Sequence, residues 1–597
     1  MYLMLRGGWW SRGLFIDLSE MKWRVFELDR GLVASFLGGR GLALHYLYSL
    51  QEPKVSALAP NSLIVIATSP LSGIPIFGTR TAVIAVKSFS TDTYVDADVP
   101  SPIGTALKQC GYDIVVVRGR CEKPCTLYIR EDGVFFEDAT DLWNLGARSA
   151  LLKLIHDFGT EAAITIGVAG TKLVHGATVV TKLGPVQGPD IGAVMGSKNL
   201  KAIVIDGVKE LPIANVSALE KVISRYLEYV KATPELSEWI RAGSVKLLEL
   251  LWKHSLIPSE YFRDVYVDDL GELSPEHIEK FYKVYSVACP LCPLSCFSLC
   301  TVREDKYVGT WSYLDLAHVL ALGFNCGIDR LGDVLYIAKL CSDYGIDIMT
   351  LGNVAGFTMM CYEYGIIRRV HTGGIAIKFG RADAVAKLLE LICERRDIGE
   401  YLAHGVDYAA QKLGDYAKSI AMTVKGMELP ALEMRIVPEI ALLLSTSSTY
   451  PDYREALYLL LQKRFHEITV SDVVSARTTV NVLKCLSSCP LVPALLKLGL
   501  DEYSEVLKYV TGLEIPSNDL LATGIRVEVM LRRYFLREVP EWSPEFDYPP
   551  PRVFEEEVSK EPFRGRVLRR DEYQVLLKTY YREFELDECG KPRRELP

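Results

Sequence analysis

Gly192-Ala-Val-Met-Gly-Ser-Lys-Asn-Leu-Lys-Ala-Ile-Val-Ile-Asp206 is the stretch on which the fold turns. It ends in a β-branched run and closes the part of the chain that reads as strands. Upstream, residues 62–68, 82–87 and 113–118 are short β-branched runs bounded by Gly, Pro, Ser or Asp. Residues 14–18 and 25–28 alternate like the arms of a hairpin. Two apolar-periodic segments among them, 32–50 and 148–158, read as helices. Downstream the period changes. Residues 218–231, 244–253, 331–344, 352–365, 383–396 and 405–413 carry apolar residues at helical spacing, as do 455–463, 470–489 and 504–511. The tail after Val539 is rich in Pro and charge; it is expected to wrap the surface with a short helix at 571–584. The fold class is therefore α+β: a β-rich N-terminal domain, 1–210, followed by two mainly helical domains, 211–420 and 421–597.

Composition narrows the function classes. The chain has 597 residues, with 67 Lys+Arg against 75 Asp+Glu. A net charge of −8 argues against a general nucleic-acid binder, which would carry a basic excess. No uncharged apolar run reaches the ~18 residues a membrane span requires. The N-terminal Met-Tyr-Leu-Met-Leu-Arg lacks the apolar core and small-residue cleavage site of a signal peptide. A cytoplasmic location is expected, and there the 14 Cys are expected to be core thiols, metal ligands or redox groups rather than disulfides. Only six Gln occur, a scarcity that fits a thermophile.

The sharpest local feature is Cys289-Pro-Leu-Cys292-Pro-Leu-Ser-Cys296, with Cys300 close behind. Thiolates bind soft metals, either zinc or iron–sulfur clusters. Pro290 and Pro293 keep the backbone from forming a plain helix, which lets several sulfurs turn inward. Structural zinc usually shows two well-separated CxxC-type pairs, and the second pair is missing. Chance clustering of core thiols is the bland alternative, but so dense a group favours an iron–sulfur cluster. The order CxxCxxxC is the reverse of the radical S-adenosylmethionine motif. Spacing alone leaves the fourth ligand open between Cys300, Cys485 and Cys489.

These residues resemble the aldehyde ferredoxin oxidoreductase family, the tungsten or molybdenum pterin enzymes. The resemblance is carried by Phe36-Leu-Gly-Gly-Arg-Gly-Leu-Ala43, Gly78-Thr-Arg80, Gly111-Tyr-Asp113 and the stretch from Gly192 to Ala202. The Cys289/Cys292/Cys296 run, Asp343-Tyr-Gly-Ile-Asp347 and Val424-Lys-Gly-Met-Glu-Leu-Pro-Ala431 also match, so that about residues 10–540 are covered in order. The resemblance implies that the N-terminal β-rich domain is a base for the cofactor and that two helical domains cover it. It implies a tungsto- or molybdo-bis-pterin (Mg-bridged pyranopterin) beside a [4Fe–4S] cluster. The implied reaction is aldehyde plus water to carboxylic acid, with electrons passed to ferredoxin. A homodimer is left open. The implied cluster ligands are Cys289, Cys292, Cys296 and, from the family's Asp-x-x-Gly-Leu-Cys motif, Cys489. Cys300 and Cys485 become bystanders. Arg80 matches an arginine lying between cluster and pterin, where a guanidinium can donate to both. Asp343, Gly345, Ile346 and Asp347 match the first pterin motif, Asp-x-x-Gly-Leu-Asp, whose carboxylates accept hydrogen bonds from the pterin.

The chain departs from this pattern at functional positions. The second pterin motif has lost its Asp to Lys484 and its Gly-Leu to Ser487-Ser488. A Lys accepts no hydrogen bond. A glutamate near the metal aligns with Ala317, inside Asp315-Leu-Ala-His318. The family's later histidine falls in Thr446-Ser-Ser-Thr-Tyr-Pro-Asp-Tyr453, which has no His. An arginine-bearing loop reads Val186-Gln-Gly-Pro-Asp-Ile191, and a cofactor-side asparagine aligns with Asp98. Tyr336 and Lys339 stand where some members bind a bridging iron, so that metal is not expected. His318, Asp315 and Glu433 are candidate acid/base groups, with a packed core role the bland reading for His318; His45 reads as structural. Two functions follow. One is a working pterin oxidoreductase acting on an aldehyde. The alternative is a divergent paralogue that keeps fold and cluster but has weakened or lost pterin chemistry, serving electron transfer or partner binding.

Overall fold

The structure is a computed structural model that describes residues 7–79, 82–266 and 268–593. Twelve strands make two six-stranded sheets before residue 207. They are β1 (Arg12–Asp17), β2 (Lys22–Glu27), β3 (Ile64–Ala67), β4 (Ala82–Lys87), β5 (Tyr94–Val99), β6 (Ile114–Arg118), β7 (Cys125–Arg130), β8 (Gly133–Asp138), β9 (Ala163–Ile166), β10 (Val179–Thr181), β11 (Gly184–Pro185) and β12 (Leu200–Asp206). The sheet orders are β2-β1-β6-β3-β4-β5 and β11-β10-β9-β12-β7-β8. Alternation sets the layers, because successive strand side chains point to opposite faces. Val115 and Val117 of β6 pack with Ile64 and Ile66 of β3 and with Ile203 and Ile205 of β12, between the sheets. Ile114 and Val116 face the other way, into the large core shared with the helices. Strands buried on both faces read as unbroken apolar runs, and β4 is one of them.

From Val216 onward the chain is mainly helical, with a three-stranded sheet (Lys283–Val287, Phe297–Thr301, Trp311–Leu314) that frames the cysteine run. The hairpin, the strand runs and most helices lie where expected. The α+β class holds, strands first and helices after. Three expectations need correction. The segment 32–50 is two helices, Arg30–Phe36 and Gly39–Leu50, broken where Leu37 adopts a φ of +60°. Gly39 must be glycine: a Cβ there would sit 2.2 Å from the Lys484 carbonyl. The tail helix Arg570–Glu583 is no surface wrapping. It buries Tyr573, Tyr580 and Tyr581, and the Tyr581 hydroxyl donates to Asp547. Cys121 and Cys125 form a disulfide; their Cα atoms, 6.6 Å apart at the entrance to β7, are in bridging range.

Candidate functional site

Cys289, Cys292 and Cys296 occupy the loop between the strands Lys283–Val287 and Phe297–Thr301. The Cys292 amide donates to the Cys289 carbonyl at 3.1 Å, closing a turn over Pro290 and Leu291. Ser244 fixes the third: its amide and its hydroxyl both donate to the Cys296 carbonyl, at 2.9 and 3.0 Å. Cys489 arrives from the far end of the sequence. It follows the helix Val470–Cys485, and its amide donates to the Gly78 carbonyl at 3.1 Å. Burial, and then the neighbouring thiols of Cys292, Cys489 and Cys289, push the Cys296 thiol well above its ordinary range. The four sulfurs therefore form one group. Cys300 stands apart: it is buried, its thiol is pushed up to about 12 by burial, and its charged neighbours are Lys283 and Arg303. Cys485 lies against Gly41 and Arg40 instead.

A narrow cleft of about 60 Å³ opens beside Cys296. The strand side contributes Asp98, Pro100, Val186 and Gln187; the helical side contributes Asp315, His318, Tyr453 and Arg454. Gln187 lies in this wall with its Oε1 buried and without a hydrogen-bond partner. Asp347 backs the same wall. It caps the helix Ile348–Glu363, with Oδ1 accepting from Thr350 N at 2.8 Å and Oδ2 from Gly188 N at 3.3 Å. Burial raises its carboxyl to about 6 against the hydrogen bonds from Thr350 and Gly188 that lower it.

The other expected pterin contacts are placed differently. Asp343 packs on the start of the helix Ala147–Phe158, near Gly146 and Arg148, and does not line the cleft. Counting the motif spacing back from Asp347 reaches Ser342, whose hydroxyl lies 3.4 Å from the side-chain position of Gly184. Gly345 (φ +71°) and Ile346 face the strand layer. A Cβ on Gly345 would meet Gly167 N at 2.6 Å, and Ile346 bridges Ala177. The close approach that demands this glycine is thus to the protein's own backbone. Arg80 lies outside the described residues. Glu433 is committed to Arg435, at 2.7 Å and away from the cleft. His45 packs beside Phe36 and Tyr46.

Around Lys484 the structure holds a buried ion network that sequence reasoning missed. Lys484 Nζ is 3.0 Å from Asp452 and 3.7 Å from Asp96. Arg40 grips both oxygens of Asp96, at 2.6 and 2.7 Å. Arg454 bonds Asp452 at 2.7 Å and reaches Asp98 at 3.3 Å. Burial alone would raise these carboxyls. Arg40, followed by Lys484, instead holds Asp96 at about 2, and Arg454 with Lys484 holds Asp452 well below its ordinary range. The signal was present in two oddities: an Arg inside the Gly-Gly-Arg-Gly stretch and a Lys where an acceptor was expected.

Residues 13–207 match "Aldehyde ferredoxin oxidoreductase, N-terminal domain", and residues 221–596 match "Aldehyde ferredoxin oxidoreductase, domains 2 & 3". The chain belongs to the aldehyde ferredoxin oxidoreductase family. It is 28% identical to the tungsten-containing aldehyde ferredoxin oxidoreductase of Pyrococcus furiosus, over 98% of both chains. It is equally 28% identical to the aliphatic sulfonate oxidoreductase, WOR-like subunit, of the same organism, over 98% of this chain and 95% of that one. Among solved structures, the active site complex BamBC of benzoyl coenzyme A reductase with 1,5-dienoyl-CoA superposes with a TM-score of 0.82. That match is 21% identical and covers 98% of this chain and 96% of that one; it shows the fold. The family is one of oxidoreductases, which does not favour the alternative of a subunit without pterin chemistry. Membership implies a tungsten-pterin and an iron–sulfur cluster. The four grouped thiols fit the cluster by donor chemistry. The orphaned Gln187 Oε1 and the remaining acceptor capacity of the Asp347 carboxylate fit one edge of a pterin, which presents N–H donors. At the second motif Lys484 is a donor already engaged by Asp452, so it supplies no pterin acceptor there. No helix among the described residues is long and apolar enough to cross a membrane.

Proposed function

We propose that this chain is a tungsten- or molybdenum-pterin oxidoreductase that converts an aldehyde and water to a carboxylic acid and passes electrons to ferredoxin. Cys289, Cys292, Cys296 and Cys489 would hold a [4Fe–4S] cluster, on a base formed by residues 1–210. One observation carries the reading: Cys296 belongs both to the group of four thiols and to the wall of the cleft. Electrons released in the cleft then have a short path out. The pterin-bound metal supplies two-electron redox chemistry when present, and a cluster relays electrons one at a time. This chain's residues position and enclose. Asp347 and Gln187 would offer acceptors to a pterin, and Leu183, Val186 and Leu491 line the cleft's apolar part and keep water out of it. Tungsten is supported by the similarity to tungsten-containing relatives. Ferredoxin is the proposed acceptor, and a cytoplasmic, thermophilic setting agrees with the composition.

The test is reduction of viologen dye or ferredoxin by the anaerobic holoprotein, across a panel of aliphatic and aromatic aldehydes. An alkanesulfonate and an aryl-CoA thioester belong in the panel, because relatives with such names share the fold. Aldehyde-dependent reduction is expected. Tungsten-loaded protein that reduces nothing with any aldehyde would overturn the proposal.

A further inference from the structure

We infer that His318, oriented by Asp315, is the group that takes the proton from the attacking water in this enzyme. The inference rests on the proposed aldehyde oxidation and replaces, with residues of this chain, the acid/base groups missing at Ala317 and in the stretch 446–453.

The geometry begins with backbone. The strand Trp311–Leu314 ends at Asp315, whose side chain caps the following turn by accepting from His318 N at 3.4 Å. The next residues, Val319–Gly323, form a π-helical turn, a feature that recurs at functional sites. The same Asp315 oxygen lies 2.7 Å from His318 Nδ1, closer than the 3.2 Å contact of that nitrogen with the Asp315 amide. The shorter contact assigns the Nδ1 proton to the carboxylate. Nε2 is then the acceptor nitrogen, and the ring lines the cleft. A carboxylate behind an imidazole both fixes the tautomer and stabilises the imidazolium that proton uptake forms.

The other titratable groups in the wall are spoken for. Asp98 faces Arg454 at 3.3 Å, and Arg454 is locked to Asp452. Burial, with Asp315 nearby, keeps the Tyr453 hydroxyl protonated. Cys296 belongs to the thiol group. His318 with Asp315 is the pair left in the wall with a nitrogen free to accept a proton.

The step balances as RCHO + H2O → RCOOH + 2 H⁺ + 2 e⁻. The water oxygen bonds to the carbonyl carbon while one of its protons passes to Nε2 and later to solvent. The aldehyde C–H bond breaks. Its electron pair leaves through the redox centre to an iron–sulfur carrier, and its proton goes to solvent.

The test compares holoenzyme carrying H318A, H318Q or D315N with wild type, at matched tungsten and iron content. H318A is expected to lower kcat about a hundredfold or more, the usual worth of acid/base help, with KM little changed. Added imidazole should restore part of that kcat, which a purely structural loss would not allow. D315N keeps a good helix cap and should show a smaller fall. Benzoate, a product analogue, should bind H318A about tenfold more weakly by tryptophan fluorescence, as loss of a hydrogen bond to a charged group gives. Wild-type kcat in H318A, or a fall that imidazole leaves untouched, overturns the assignment. If wild type oxidises no aldehyde, the proposed reaction fails, and benzoate binding decides for His318 alone. Equal binding by wild type and H318A, or none by either, overturns it.

Discussion

The cleft at Cys296 and the chamber at Lys484 lie at opposite ends of one wall, and Asp98 and Arg454 belong to both neighbourhoods. The Lys484 end is ion-paired: Lys484, Asp452, Asp96, Arg40 and Arg454 answer one another at ion-pair distance, although the nearby Ser448 hydroxyl has no partner among the described residues. The Cys296 end is less paired: among the described residues Gln187 Oε1 has no partner, and Asp347 is held by hydrogen bonds from Thr350 N and Gly188 N with no ion pair. Buried polar atoms left unsatisfied cost stability, so they persist where a ligand completes them. The difference is one of pairing: the first motif sets a buried carboxyl and an unpaired oxygen behind the cleft wall, while Lys484 of the second is tied into internal ion pairs.

The largest effect expected from breaking this comparison is loss of the cluster. C489S should abolish the low-temperature EPR signal of the reduced cluster and most of the bound iron, while C300S and C485S keep both. Loss of iron in C300S alone would shift the ligand set. Next comes a second closed group, His175 between Asp190 (2.9 Å) and Glu428 (2.7 Å), fully buried. H175Q leaves two carboxylates uncompensated and should cost about 4 kcal/mol in denaturant unfolding. Burial alone would lower His175; Glu428 and Asp190 raise it well above its ordinary value. Its stabilisation is therefore complete below its unfolded pKa of about 6.5 and fades as pH rises through the folded value. Asp190 is held at about 2 and contributes above its unfolded value of about 4, losing that contribution as pH falls. The gap between wild type and H175Q should peak near pH 5–6, roughly between these limits, and narrow on both sides. A gap that widens with alkali would refute the buried imidazolium.

K484M should destabilise by about 3 kcal/mol, at the lower end for a broken buried pair because Arg454 still holds Asp452. It should leave iron content unchanged. The smallest stability effect should be Q187L, within about 1 kcal/mol, since its oxygen already lacks a partner. That variant should nevertheless lose pterin, measured by fluorescence after oxidative release. Pterin loss in K484M but not in Q187L would reverse the comparison.

The sequence carried the strand runs and the helical periods because one face of each is uniformly apolar. It hid β5, Tyr94-Val-Asp-Ala-Asp-Val99, because two acids in a strand read as loop until Arg40 and Arg454 are seen to meet them. It also gave no sign of the long helix Ser517–Glu538, which buries Glu528 and Arg532 in ion pairs. The local cysteines were legible from spacing. Cys489 was reached only through family resemblance, because nothing local ties it to a loop far upstream. Asp343 was chosen one position out of register: its type fitted the motif, but the helix turn points it towards Arg148.

The central claim is best tested by elemental analysis of anaerobically purified protein for W, Mo, Fe and Zn. The account predicts about four Fe and about one W or Mo per chain. Iron without W or Mo, or zinc alone, would contradict it.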